Sequence, residues 1–140
     1  MRWIVDGMNV IGSRPDGWWR DRHRAMVTLV DMLERWAAAN KDAARVVVVF
    51  ERPPSTTIGS SVIEVAHAPK AAANSADDEI VRLVQTDDQP HEIRVVTSDK
   101  ALADRVRSLG ASVYRAEGFR DLIDPRRAKP AQRPGQRGPA

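Results

Sequence analysis

Apolar residues along the chain follow two rhythms, and the rhythms alternate. Trp3–Val5 is a short apolar run closed at once by Asp6. Between about Asp21 and Ala39, the residues Met26, Leu29, Val30, Leu33 and Trp36–Ala37 recur at helical spacing and predict a first helix. Arg45–Phe50 (RVVVVF) is a continuous β-branched run, as in a parallel strand buried on both faces. After a loop with Pro53, Pro54 and Gly59, Ser61–Ala66 (SVIEVA) reads as a third strand. A second helix begins at Ser75, with Ile80, Val81, Leu83 and Val84 apolar. Ile93–Thr97 is a fourth strand, and Lys100–Leu109 a third helix stopped by Gly110. Ala111–Tyr114 is a fifth strand, and Gly118–Ile123 a short closing helix.

Strands alternating with helices predict a three-layer α/β fold on a mostly parallel five-stranded sheet, in the order 3-2-1-4-5. One link strains this scheme. Only about ten residues join strands two and three, without a helix, whereas a parallel crossover usually takes a dozen or more. Strand three is therefore placed at an edge, with its direction open.

The chain's 140 residues suffice for one domain with a sizeable core, and 42% hydrophobic content argues against disorder overall. Charge divides the chain unevenly. Five of the 22 basic residues and none of the 19 acidic ones lie beyond Asp124, so residues 1–124 carry a net −2. The last sixteen, PRRAKPAQRPGQRGPA, hold Pro, Gly, Gln and Arg but nothing to bury. They are expected to form a disordered basic tail after a domain spanning 1–124. A basic arm, including Arg126 and Arg127, beside a slightly acidic domain suits a polyanion such as RNA, although it can also serve solubility alone. Cysteine is absent, which excludes disulfides, thiol nucleophiles and cysteine-ligated metals. No segment reads as a signal peptide or membrane span, so a soluble cytoplasmic protein with no membrane partner is expected.

Acidic residues then change the picture. In open α/β sheets, ligands bind beyond the carboxyl ends of the strands where strand order reverses. Asp6 follows strand one, Glu51 strand two, Asp99 strand four, and Asp77 and Asp78 open the helix after strand three. On a parallel sheet all of them share one edge, with Asp6 and Asp99 facing each other across the switch point. Carboxylates crowded together repel, and a divalent cation resolves the conflict. All-oxygen donors suit Mg²⁺ or Mn²⁺, which can activate water for phosphodiester hydrolysis. Each acid also has a plainer role. Asp6 can bond its own Asp-Gly turn, Asp78 can close a capping box with Ser75, and Asp77 can answer the helix dipole. Asp99 can be an N-cap, Glu51 can pair with Arg52, and Asp104 can pair with Lys100 one turn away. Other phosphate machinery is missing: there is no Gly-x-Gly-x-x-Gly after strand one, no Walker lysine loop, no Asp-x-Asp and no serine elbow. His23, His67 and His91 have no metal spacing.

The stretches VDGMNVIG, VVVVFE, NSADDEIVRLV and VVTSDKALADRV, in this order from about Arg2 to Phe119, resemble the YacP-like NYN domain, a branch of the PIN-like ribonuclease superfamily. The resemblance implies a metal-dependent RNA nuclease, with one branch of the family cutting messenger RNA in association with the ribosome. It implies metal ligands at Asp6, Asp77 and Asp99, with Asp78 and Asp104 as further candidates. It also implies an orienting role for Asn9 and a pocket lined by Thr97 and Ser98. Strand two departs from the pattern, ending Phe50-Glu51-Arg52 where Phe-Asp is expected. Mg²⁺ or Mn²⁺ would be the cofactor, and RNA, with or without the ribosome, the partner. Arg24, Arg52 and Lys100 are candidate phosphate contacts beside the tail arginines. Trp18–Trp19, entering helix one, can stack on a base or anchor that helix. An RNA- or ribosome-binding module with little or no catalysis is the alternative.

Overall fold

The computed structural model describes residues 1–69 and 75–124. Five strands, β1 (Arg2–Asp6), β2 (Arg45–Phe50), β3 (Glu64–His67), β4 (Ile93–Val96) and β5 (Ser112–Tyr114), form one sheet in the order β3-β2-β1-β4-β5, and every pairing is parallel. The helices are α1 (Gly7–Gly12), α2 (Arg22–Ala39), α3 (Ser75–Gln85), α4 (Lys100–Ser108) and α5 (Ala116–Ile123). None is long and apolar enough to cross a membrane among the described residues.

Alternation along the strands builds two cores from one sheet, because successive side chains point to opposite faces. Trp3, Val5, Val46, Val48, Phe50 and Val96 pack against Val10 and Ile11 of α1, Leu29 and Leu33 of α2, and Phe119 and Ile123 of α5. Ile4, Val47, Val49, Ile93 and Val95 point the other way, onto Ile80, Val81 and Val84 of α3 and Leu102 and Val106 of α4. The first core is aromatic at its centre: the Trp3 ring centroid lies 5.1 Å from Trp36 and 5.5 Å from Phe119. Edge-to-face and tilted pairs of this kind add about 0.5–1.5 kcal/mol each beyond area burial.

Three local expectations are corrected. Strand three is parallel and begins at Glu64, not Ser61, so the link runs from Glu51 to Ile63 and reaches the length that a crossover needs. Its edge position is as expected. The residues after Asp6 form a short helix rather than a simple turn. Six residues with glycine at both ends are too few to show a helical period, and Gly7 hides the reason they coil here. A Cβ on Gly7 would lie 2.6 Å from Cε1 of Phe50, so only glycine lets the first turn of α1 pass beneath that ring. The closing helix α5 also starts at Ala116, before Gly118.

Candidate metal centre

The β1–α1 junction, the β4–α4 loop and the start of α3 meet at the carboxyl edge of the sheet. Asp6 is the last residue of β1, paired with Val49 in register, and is only 6% exposed. Buried there, it accepts a hydrogen bond of 3.0 Å from Thr97 Oγ1. Burial pushes its carboxyl up to about 7; the Thr97 hydroxyl opposes this, while Asp77, Asp99 and Glu51 push further in the same direction. Asp77, half-buried at the start of α3, is likewise raised, first by burial and then by Asp99, with the Arg105 guanidinium opposing. Glu51 acts on both groups. The charges of Asp99 and Glu51 therefore act on both Asp6 and Asp77 at the switch point between β1 and β4.

Thr97 joins two of these acids. Its hydroxyl donates to Asp6 and accepts from the Asp99 N–H at 3.1 Å. Asp99 is the N-cap of α4, its Oδ1 accepting from Leu102 N at 3.0 Å. The plain reading of Asp99 thus holds, and the cap aims its carboxyl at the same edge. Asn9 has a positioning role: its Oδ1 accepts from Ser98 N at 2.8 Å, pinning α1 to the β4–α4 loop. Ser98 Oγ in turn donates to Glu117 and accepts from Ala116 N at 3.0 Å, which ties the loop to α5.

The remaining candidates are spread around this centre. Asp78 is exposed and bonds Arg105 across the α3–α4 gap at 3.1 Å. Asp104 sits on the outer face of α4, paired with Lys100 at 3.3 Å and Arg107 at 3.8 Å, and is not among the charges acting on Asp6 or Asp77. Lys100 is almost fully exposed beside it. Arg24 lies on α2 and lines a 240 Å³ cavity with Trp18 and Arg120, while Arg52 is exposed just past β2. Trp18 packs against the core as an anchor of α2, and Trp19 is half exposed. Arg126 and Arg127 lie outside the described residues. Sequence reading missed Arg105 and Glu117. Each acts through contacts with residues distant along the chain, and neither carries a local signal.

Among the described residues, no three acidic or histidine side chains stand close enough to cage an ion unaided. The donor set nonetheless fits a hard divalent cation. It is all oxygen, it holds a carboxyl raised by burial and then by its acidic neighbours, and Mg²⁺ takes one or two carboxylates while keeping several waters.

The family model of the YacP-like NYN domain matches residues 3–137. Two solved structures share the fold. Rae1 (YacP) from Bacillus subtilis is 23% identical at a TM-score of 0.72, over 90% of this chain and 76% of that one. A point mutant of the same protein is 25% identical at a TM-score of 0.66, over 89% and 77%. No curated protein sequence matches the chain.

Proposed function

The chain belongs to the YacP-like NYN domain family, a PIN-like nuclease family, and from that premise we propose that it is a metal-dependent ribonuclease hydrolysing RNA phosphodiester bonds. The observation that carries the reading is the convergence of Asp6, Asp77 and Asp99 at the switch point of a parallel sheet, where burial and neighbouring carboxylates raise Asp6 and Asp77. Asp6, Asp77 and Asp99 would hold one or two Mg²⁺ or Mn²⁺ ions. When bound, such an ion supplies Lewis acidity toward the phosphate and lowers the pKa of water. The chain's own residues do the positioning. Thr97 keeps Asp6 and Asp99 in fixed relation, Asn9 and Glu117 hold the loop carrying Ser98 and Asp99, and Arg105 limits the charge around Asp77. Arg52 and Lys100, both exposed, would take flanking phosphates. The finer reading is endonucleolytic cleavage linked to RNA decay or the ribosome, in the cytoplasm.

A binding module without catalysis is the second reading, favoured by the lack of a ready-made ion cage among the described residues. One experiment separates the two: cleavage of labelled RNA and DNA with Mg²⁺, Mn²⁺ or chelator, with and without ribosomes, by wild type and Asp6→Asn. The ribonuclease reading expects metal-dependent cutting of RNA that Asp6→Asn abolishes. Equal activity in both proteins would sink it, and RNA binding without cutting would leave the module.

A further inference from the structure

A cavity of about 400 Å³ opens beside the acidic centre, between the start of α2 and the loop after β2. Its deep side is apolar: Phe50 and Met26 are buried, and Met8 of α1 is half-buried against the same core. Its open side carries exposed cations, Arg22 from α2 and Arg52 from the loop. Arg22 is braced over the Trp18 ring at 5.1 Å. His23 also lines the cavity, and its buried Nδ1 has no hydrogen-bond partner. Glu51 links the cavity to the acidic centre. It lines the cavity, and its charge acts on Asp6 and Asp77.

An apolar floor under a cationic rim matches one ligand class, a flat aromatic ring attached to a phosphodiester backbone. A cleft of this volume falls at the lower end of the range for small-ligand sites, too small for a duplex. We propose that this cavity is a nucleobase subsite, taking one unpaired base of single-stranded RNA next to the phosphate held at the acidic centre. The base lies on Met8, Met26 and Phe50. Arg22 and Arg52 take the flanking phosphates, and the half-buried His23 ring lines the wall beside the base. The subsite rests on the ribonuclease reading, and it makes that enzyme dependent on a base at a fixed position from the scissile bond. Apolar contacts grip every base alike, so sequence preference comes only from the loop Arg52–Ser55.

The test is binding of a short unstructured RNA, measured by fluorescence anisotropy in chelator, with an abasic ribose moved one nucleotide at a time. The full-length chain is compared with Ser55→Trp, which puts an indole at the cavity mouth on an exposed loop, and with Arg52→Ala. Wild type should lose affinity about tenfold at a single abasic position, which corresponds to roughly 1.4 kcal/mol. Ser55→Trp should bind the intact RNA about tenfold more weakly and respond to no abasic position. Arg52→Ala should weaken all the RNAs alike and flatten the salt dependence. A flat abasic scan in wild type, unchanged affinity in Ser55→Trp, or no RNA binding at all overturns the subsite. Cleavage dependent on Asp6 alongside a flat scan removes the subsite and leaves the nuclease. A position-specific loss without any cleavage keeps the subsite and removes the nuclease.

Discussion

Replacing Asp6 by Asn should make the metal-free protein more stable while abolishing its activity. In the folded chain the Asp6 carboxyl is raised from its ordinary 3.8 to about 7. Between about pH 4 and pH 7 the native state therefore holds a proton that the unfolded state has released. Stability falls as pH rises wherever the native state binds more protons, so this group's contribution is intact below about pH 4 and lost by about pH 7. At 1.36 kcal/mol per pK unit, the full loss is about 4 kcal/mol. Local relaxation and water entry lower that ceiling, and a gain of about 2–4 kcal/mol is expected for Asp6→Asn at pH 8. Asn matches the protonated acid in shape, and its amide oxygen can keep the bond from Thr97. For a domain of this size the gain is roughly 8–15 °C in Tm. Thermal melts in EDTA from pH 4.5 to 8.5 provide the measurement. The gap between variant and wild type should open from near pH 4 and level off above pH 7. Asp104→Asn, which removes an exposed surface partner of Lys100 and Arg107, should show no such gain. Mn²⁺ should raise the Tm of wild type in a saturable way and leave that of Asp6→Asn unmoved. An Asp6→Asn protein less stable than wild type at pH 8, or a gap independent of pH, would refute the reasoning.

Thr97→Val should cost about 1–3 kcal/mol in urea unfolding, because the Asp99 N–H and the Asp6 carboxyl both lose a partner; it should also move the stability loss attributed to Asp6 to higher pH, since the Thr97 bond lowers that pKa. Gly7→Ala places a methyl against the buried Phe50 ring and should lower the unfolding midpoint by an equivalent of about 1–3 kcal/mol, and an unchanged midpoint would mean that the ring yields freely. Asp77→Asn should reduce RNA cleavage at least about 100-fold, whereas Asp78→Asn, which breaks only an exposed pair with Arg105, should stay within a few-fold of wild type; equal losses would place Asp78 in the site. Ending the chain after Asp124 keeps that buried acid next to Arg120 and should yield weaker RNA binding with a shallower salt slope, while an unchanged slope would make the tail a bystander.

Much of the architecture was legible in the chain itself. The β-branched run Arg45–Phe50 and the helical spacing from Met26 to Trp36 are strong signals, and strand–helix alternation everywhere but between strands two and three leaves few topologies other than a parallel sheet. Once the sheet is parallel, Asp6, Asp77 and Asp99 must share an edge. Their convergence was therefore a consequence of order along the chain. Short-range exceptions escaped: α1 is too short to display a period, and the direction of β3 depended on where its first residue fell.

Tertiary structure alone decided which acids meet. Asp78 adjoins Asp77 and Asp104 lies five residues past Asp99, with no mark in the sequence to distinguish them. A helix turns about 100° per residue, so Asp77 faces the centre while Asp78 faces Arg105 and solvent. Asp104 rides the outer face of α4. The keystone role of Thr97, the restraint of Asp77 by Arg105 and the cavity closed by Met8, Met26 and Phe50 join residues from separate elements. Hydrophobic period and strand order are local properties that a chain carries along its length. The charge a carboxylate feels, and the company a side chain keeps, belong to contacts that exist only after the elements have packed.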